Sequence, residues 1–348
     1  MMKKFLSILF TLLFLLGCAA AYYLTTQPPA VSDGERLTVH FIDVGQADCA
    51  LLECGGQYMI VDGGNVEDSS LVVSYLQRQG VQELQAVVCS HAHEDHVGGL
   101  PGVLAVYPTG AVYAPTNTYA SKVFDDFLYY TDQQRLEVTI PAPGHSFTLG
   151  EATVTVLGPT KSYADPNDTS IILLVQFGKT RFLFTGDMET GAENDMLDYW
   201  GEGFNWHADV LKVGHHGSET STSYRFLRAV MPSYGVISVG AGNSYGHPHE
   251  LPLSRLEDAG VTLYRTDELG TVIATSDGEN VSFTWGNTAA RPDMPTGGAP
   301  QRFIGNKDSK TLHLPTCSGL PKEENWVLFD DYDAAIAQGY RPCSRCLG

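Results

Sequence analysis

One short run limits what this chain can become more than any other feature. The apolar segment Ala86–Cys89 ends abruptly in Ser90-His91-Ala92-His93-Glu94-Asp95-His96-Val97-Gly98-Gly99. Four candidate metal ligands, His91, His93, Asp95 and His96, lie within six residues, directly after a run that suits a buried strand. Neutral imidazole and carboxylate are the ligands Zn²⁺ takes among nitrogen and oxygen donors. The alternating spacing lets His91 and His93 face one ion while Asp95 and His96 face a second. Gly98 and Gly99 let the following helix start close to the site. A solvated polar loop has no comparable need for three histidines at a strand end.

The rest of the chain supplies a frame for such a site. Strand-like runs are expected at Leu37–Val44, Ala50–Glu53, Tyr58–Val61, Ala86–Cys89, Ala111–Tyr113, Leu136–Ile140, Ala152–Leu157, Ile171–Phe177 and Arg181–Phe184. Others follow at Gly235–Val239, Thr262–Tyr264, Thr271–Thr275 and Val281–Thr284. Helical patterns occupy Ser69–Gln79, Tyr119–Tyr130, Glu189–Trp200, Thr222–Val230 and Glu250–Ala259. Strands interleaved with helices at this rhythm predict a layered α/β domain over residues 37–286. A linker over 19–36, in which Gln27–Asp33 reads as a tether, precedes it. A second linker at 287–301, rich in Pro, Gly and Ala, separates it from a small domain at 302–348.

The histidine run resembles the HxHxDH motif of the metallo-β-lactamase superfamily, and further matches follow in that family's chain order. The resemblance implies a four-layer αββα fold and up to two zinc ions in the core. It makes Asp62, in Ile60-Val61-Asp62-Gly63-Gly64, the buttress of the metal loop. Asp187, in Thr185-Gly186-Asp187, becomes the carboxylate bridging both ions. The last ligand, completing the second site, falls in Val213-Gly214-His215-His216-Gly217-Ser218, where His215 is favoured and His216 is the alternative. The family's third-motif His is missing. Pro166-Asn167-Asp168-Thr169-Ser170 stands there, so Asn167 or Asp168 is the candidate substitute, with His145 a more distant one, and the first site is expected to be the weaker.

That departure narrows the resemblance. Phe41-Ile42-Asp43-Val44-Gly45-Gln46-Ala47-Asp48, the Asn-x-x-Ser element, Lys212–Ser218 and Asn243-Ser244-Tyr245-Gly246-His247-Pro248-His249 resemble the hydrolase domain of ComEC-type DNA-uptake proteins, without a channel-forming region. The expectation is a phosphodiesterase or nuclease acting on DNA through a zinc-activated hydroxide, since paired metals stabilise attacking and leaving oxygens together. Asp95 and Asp187 would hold the metals and orient the nucleophile, and His247 would protonate the leaving oxygen. His249 reads as a helix-start residue.

Charge qualifies the substrate. Formal net charge is −19; residues 19–290 carry 12 Lys/Arg against 33 Asp/Glu, and residues 300–348 carry six of each. So acidic a body speaks against a broad basic groove that grips polyanions by counterion release, though bound metal ions would supply local positive charge for a nucleic-acid substrate. Two alternatives therefore stand beside DNA cleavage. One is a surface phosphodiesterase acting on phosphorylcholine or wall-polymer esters, and the other is a non-catalytic DNA-binding component of an uptake apparatus. No protein partner is identifiable.

Both chain ends add chemistry. Lys3 and Lys4 precede the apolar run Phe5–Leu16, which ends in Leu15-Leu16-Gly17-Cys18. A basic start, a short apolar run and small residues at the cut describe an export signal over residues 1–18. The ending resembles a bacterial lipobox, which implies lipidation of Cys18 and anchoring on the outer face of the cytoplasmic membrane. An uncleaved anchor is the alternative. Cys49, Cys54 and Cys89 read as buried small hydrophobes, with Cys49–Cys54 or Cys54–Cys89 disulfides as alternatives. In the tail, His313-Leu314-Pro315-Thr316-Cys317 and Cys343-Ser344-Arg345-Cys346 supply four ligands for one closed zinc site. Residues 302–347 resemble the Ada-type metal-binding domain. Its first ligand, a methyl-accepting thiolate in that family, is His313 here, so alkyl transfer is not expected.

Overall fold

Strands that are apolar on both faces must be covered on both faces, and this requirement organises the main domain. The computed structural model describes residues 31–32, 34–286, 303–313, 317, 320–322, 325–329, 335 and 338–343. The expected signal, Cys18, the second linker and Cys346 lie outside the described residues. In chain order the strands are β1 (Leu37–Phe41), β2 (Ala50–Cys54), β3 (Gln57–Val61), β4 (Leu84–Val88), β5 (Thr109–Tyr113), β6 (Val138–Thr139), β7 (Ser146–Leu149) and β8 (Ala152–Gly158). They continue as β9 (Ile172–Phe177), β10 (Thr180–Phe184), β11 (Val210–Lys212), β12 (Tyr234–Ile237), β13 (Thr262–Arg265), β14 (Val272–Ser276) and β15 (Val281–Trp285).

Two mixed sheets result. One has the order β15-β14-β1-β2-β3-β4-β5-β6, the other β13-β12-β11-β10-β9-β8-β7. Their facing sides share a core that includes Phe41, Leu52, Val88, Val154, Phe182 and Val236. Phe41 stacks on Phe184 across the gap, with ring centroids 5.8 Å apart. Helices Ser69–Arg78, Leu100–Val106 and Lys122–Gln133 cover the outer face of the first sheet through Val73, Leu76, Val103 and Phe127. Thr190–Trp200, Tyr224–Val230 and Glu250–Asp258 cover the second through Met196, Phe226, Leu227 and Leu256. The four-layer αββα arrangement is the one expected. Helix starts follow local chemistry: the Ser121 and Ser223 hydroxyls accept the Phe124 and Phe226 N–H groups, satisfying donors the first turn leaves unpaired.

Some elements differ from the sequence expectation. Strand β7 was not anticipated because it is an edge strand that buries only Leu149. Helix Leu100–Val106 contains Pro101 and Gly102 and buries its first five residues, so neither propensity nor periodicity marks it. The expected tether also ends early: Val31 packs on the inter-sheet core, and the Ser32 N–H donates to Glu151 Oε2 at 2.7 Å. Cys49, Cys54 and Cys89 are buried free thiols, which removes both disulfide alternatives. Among the described residues no helix is long and apolar enough to cross a membrane. The tail forms its own sheet from β16 (Phe303–Asn306), β17 (Thr311–His313), β18 (Trp326–Phe329) and β19 (Arg341–Pro342), in the order β18-β16-β17-β19. Among the described residues, Phe303, Leu312, Phe329, Ala335 and Tyr340 pack together as its core.

Candidate metal centre

Parallel pairing aligns strand ends, and here it aligns ligands. β3 pairs parallel with β4, and β10 with β11 and β11 with β12. Asp62 follows β3 and the histidine run follows β4. Asp187 follows β10, His215 and His216 follow β11, and Ser238 follows β12. Each sheet thus contributes part of one rim. The turn after β4 fits because backbones touch: a Cβ on Gly99 would lie 2.1 Å from the Gly63 carbonyl oxygen.

The centre has a compact half. Ligand atoms of Asp95, His96, Asp187 and His216 all fall within 4.8 Å of one another. His96 Nε2 lies 3.2 Å from Asp187 Oδ1, and His216 Nε2 lies 3.3 Å from Asp95 Oδ2 and 3.7 Å from Asp187 Oδ2. Four ligands at zinc bond lengths stand about 3.3 Å apart around a tetrahedral ion. His96 Nε2, His216 Nε2 and Asp187 Oδ1 are buried without any hydrogen-bond partner. Orphaned buried atoms of this kind are rare unless something else pairs them, and the donor set suits zinc. The tautomers agree. The His96 Nδ1–H donates to Asp62 Oδ2 at 2.9 Å and the His216 Nδ1–H to the Ser238 carbonyl at 2.9 Å, leaving both Nε2 lone pairs facing the gap.

The ring that joins the compact half is that of His216, the alternative at sequence level, rather than the favoured His215. The following turn holds both residues in the left-handed region, φ 50° and 51°, which buries His216 and leaves His215 partly exposed. Sequence proximity to the strand end could not reveal that. Asp62 takes its expected place, its Oδ1 accepting the Ser90 N–H at 2.7 Å.

The other half is more open. His91 Nε2 lies 3.1 Å from His93 Nδ1 and 4.0 Å from Asp187 Oδ2. Asp187 therefore faces both halves, as a bridge must. Asp168 is otherwise engaged, its Oδ1 accepting the Glu189 N–H at 3.0 Å. Asn167 Oδ1 is buried and unpartnered. The side chain that reaches His91 from this segment is Ser170, whose Oγ lies 3.5 Å from Nδ1 and accepts the Asp187 N–H at 3.1 Å. His145 packs on Tyr113 and Phe147.

Two residues that sequence reasoning did not single out lie beneath the ligands. Asp48 Oδ2 accepts from Lys212 Nζ at 2.7 Å, and Asp48 Oδ1 lies 3.3 Å from His216 Nδ1. Both side chains are buried. The Asp48 N–H donates to the Asp95 carbonyl at 3.0 Å, and its carbonyl accepts the Gly64 N–H at 2.8 Å. Asp48 thereby ties the loop before β2 to the metal loop and to the turn after β3. A small cavity between Asp48, Asp62, Ser90 and Lys212 has room for about one water.

Electrostatics follow from this crowding. Burial opposes charge on His96, but Asp187, Asp62 and Asp95 outweigh it and hold its pKa well above the ordinary value. Burial likewise opposes His216, yet Asp187 and Asp48 bring it to about 10. Asp95, despite burial, is held at about 2 by His96 and His216. His91 goes well below the ordinary value through burial and the neighbouring His96 charge.

His247 stands at the rim as expected, its ring 5.6 Å from His215, and its Nδ1 3.4 Å from Gln46 Nε2. Burial, then the charges of His216, His215 and His249, lower its pKa to about 4 in the metal-free protein. It can position a substrate by hydrogen bonding. Exposed Tyr245 stacks on it at 5.7 Å. His249 is the residue at the start of helix Glu250–Asp258.

In the tail, His313 Nδ1 lies 3.3 Å from Cys317 Sγ, which lies 4.0 Å from Cys343 Sγ. Two thiolates on one zinc stand about 3.8 Å apart, so these three fit the expected ion.

The family described as Metallo-beta-lactamase superfamily matches residues 42–241, and the metal binding domain of Ada matches residues 299–347. The chain is 27% identical over 274 residues to ComE operon protein 3 of Bacillus subtilis, covering 73% of this chain and 34% of that protein. It is 32% identical over 252 residues to Competence protein ComA of Neisseria gonorrhoeae, covering 72% and 34% respectively. It is 30% identical over 227 residues to Recombination protein 2 of Haemophilus influenzae, covering 63% and 26%. The chain thus spans about a third or less of the length of these relatives.

Proposed function

The chain belongs to the metallo-β-lactamase superfamily, and from that premise we propose that it is a metal-dependent phosphodiesterase whose substrate is DNA, working on the outer face of the cytoplasmic membrane. The observation that carries the chemistry is Asp187, a buried carboxylate with a compact ligand set on one side and a looser set of histidines on the other. Bound metal ions would polarise the phosphoryl group and ready a water for attack. The chain's own residues do the rest. Asp62 and Asp48 fix ring orientations, Asp95 stays ionised, and His247 with exposed Tyr245 forms a rim against which a nucleotide can be positioned. Relationship to competence proteins supports DNA over other esters. The lipobox-like Cys18 supports the location.

The test is a substrate panel on the zinc-loaded full chain: a chromogenic phosphodiester, single- and double-stranded DNA, and phosphorylcholine esters. Turnover of the chromogenic ester and of DNA is expected, falling by at least 100-fold in Asp187→Asn with metal content reduced. Preference for the choline ester would redirect the assignment to wall polymers. No turnover of any ester at full metal loading would make the protein a non-catalytic DNA-binding component.

A further inference from the structure

A row of rings leads from the compact half of the metal centre to the surface. The His216 and His247 rings lie 6.3 Å apart with 25° between their planes, and the His247 and Tyr245 rings lie 5.7 Å apart with 24° between theirs. Offset-stacked rings have centroids about 4.5–7 Å apart, so both steps are of that kind. His216 is buried, His247 is half-buried and Tyr245 is 68% exposed. The row begins at a candidate ligand and ends on an open tyrosine face.

The turn that carries Tyr245 is built to hold it there. Asn243 Oδ1 accepts the Tyr245 and His247 N–H groups at 3.1 and 3.0 Å, and its Nδ2 donates to the Gly240 and His247 carbonyls at 2.9 and 2.6 Å. His249 packs edge-on against His247 at 4.8 Å. Its Nε2–H donates to the Tyr245 carbonyl at 3.2 Å while its Nδ1 accepts the Glu219 N–H at 3.0 Å, so one tautomer serves both bonds. An exposed aromatic ring by itself is ordinary. Here the backbone fixes it in line with two rings that end at the metal centre.

We propose that Tyr245 is a stacking platform for an unpaired base of a DNA strand whose neighbouring phosphodiester lies at the metal centre. The proposal rests on the phosphodiesterase reading above and adds the form of the strand and the residue that selects it. A flat base extends the row of rings, and stacking of this kind tolerates any base. A base inside a duplex has both faces covered by its neighbours, so only an unpaired one can lie on the tyrosine. Stacking also needs no basic groove, which suits a chain of net charge −19. A quaternary ammonium group, by contrast, is gripped by a cage of several aromatic rings. Among the described residues His247 is the one ring packed on Tyr245, so the outer face stands alone and fits a base.

The experiment titrates the zinc-loaded full chain into a nuclease-resistant phosphorothioate single strand carrying a fluorescent purine analogue, whose emission falls when it stacks. Quenching should saturate with the unsubstituted chain and with Tyr245→Phe. Tyr245→Leu, similar in bulk but without a π face, should bind about tenfold more weakly. That factor should be the same at low and high salt, because no phosphate contact is lost. A duplex of the same sequence should bind the parent more weakly than the single strand does, and should not distinguish parent from Tyr245→Leu. Zinc content and circular dichroism confirm that the variants keep the centre and the fold. Unchanged single-strand binding and quenching in Tyr245→Leu would overturn the proposal. So would a loss confined to hydrolysis of phosphorylcholine esters, which would place a cation on the ring. A parent chain that quenches the single strand but hydrolyses no ester keeps the platform and removes the catalytic reading. One that hydrolyses a chromogenic phosphodiester without any quenching removes the platform alone.

Discussion

Asp48 and Lys212 illustrate what a single residue can hide. Their segments were noted for resemblance, yet neither stood out, because an Asp after a Gly-Gln turn reads as solvated loop and its partner lies on another sheet. Together they form a buried ion pair directly under His216. Removing one member of such a pair leaves an uncompensated buried charge, which destabilises by about 3–5 kcal/mol. Lys212→Met should therefore lower the urea midpoint by that equivalent, while the double variant Asp48→Asn with Lys212→Met should recover much of it. A single variant as stable as the parent would mean that the carboxylate has moved or protonated. The two adjacent histidines were illegible for a related reason: which ring turns inward depends on the backbone angles of the turn, and no pattern in the sequence fixes those.

At the scale of elements, the strand ends carrying ligands were readable because each joins an apolar run to a polar, glycine-bearing turn. Elements with weak patterns were not: the edge strand Ser146–Leu149, the three-residue strand Val210–Lys212 and the Pro- and Gly-containing helix Leu100–Val106. The turn after Val210–Lys212 gives a pH prediction. In metal-free protein His216 is raised from an ordinary 6.5 to about 10. A raised histidine contributes stability that is complete below pH 6.5 and lost as pH rises towards 10. Asp95, lowered to about 2, contributes above its ordinary 3.8 and loses that contribution as pH falls towards 2. Thermal melts in chelator should therefore fall between pH 6.5 and 10. With zinc bound the imidazole lone pairs are taken by metal rather than by protons, and the alkaline decline should vanish. An alkaline decline of equal size with and without zinc would contradict the assignment of His216 as a ligand.

The whole molecule joins an acidic hydrolase-type domain to a small metal-binding tail. That division was plain in the sequence from charge, linker composition and cysteine spacing. A domain of about 45 residues has little room for a core of its own, and metal commonly holds such small folds together. Residues 301–348 alone should gain structure on one equivalent of zinc and lose it in chelator, followed by circular dichroism. Deleting the tail should spare hydrolysis of a small phosphodiester. It should weaken cleavage of long DNA in a salt-dependent way if Lys307, Lys310 and Arg341 meet phosphates. Equal DNA cleavage with and without the tail at every ionic strength would remove that role.

The ligands come from both sheets, with Asp187 and His216 on one and the histidine run on the other. No contiguous stretch of chain therefore owns a complete site, and if the chain is threaded unfolded through an export pore it cannot carry ions along. Metals would then be acquired where folding finishes. The supply of ions in that compartment, more than the intrinsic preference of the ligands, would decide which metal the protein works with.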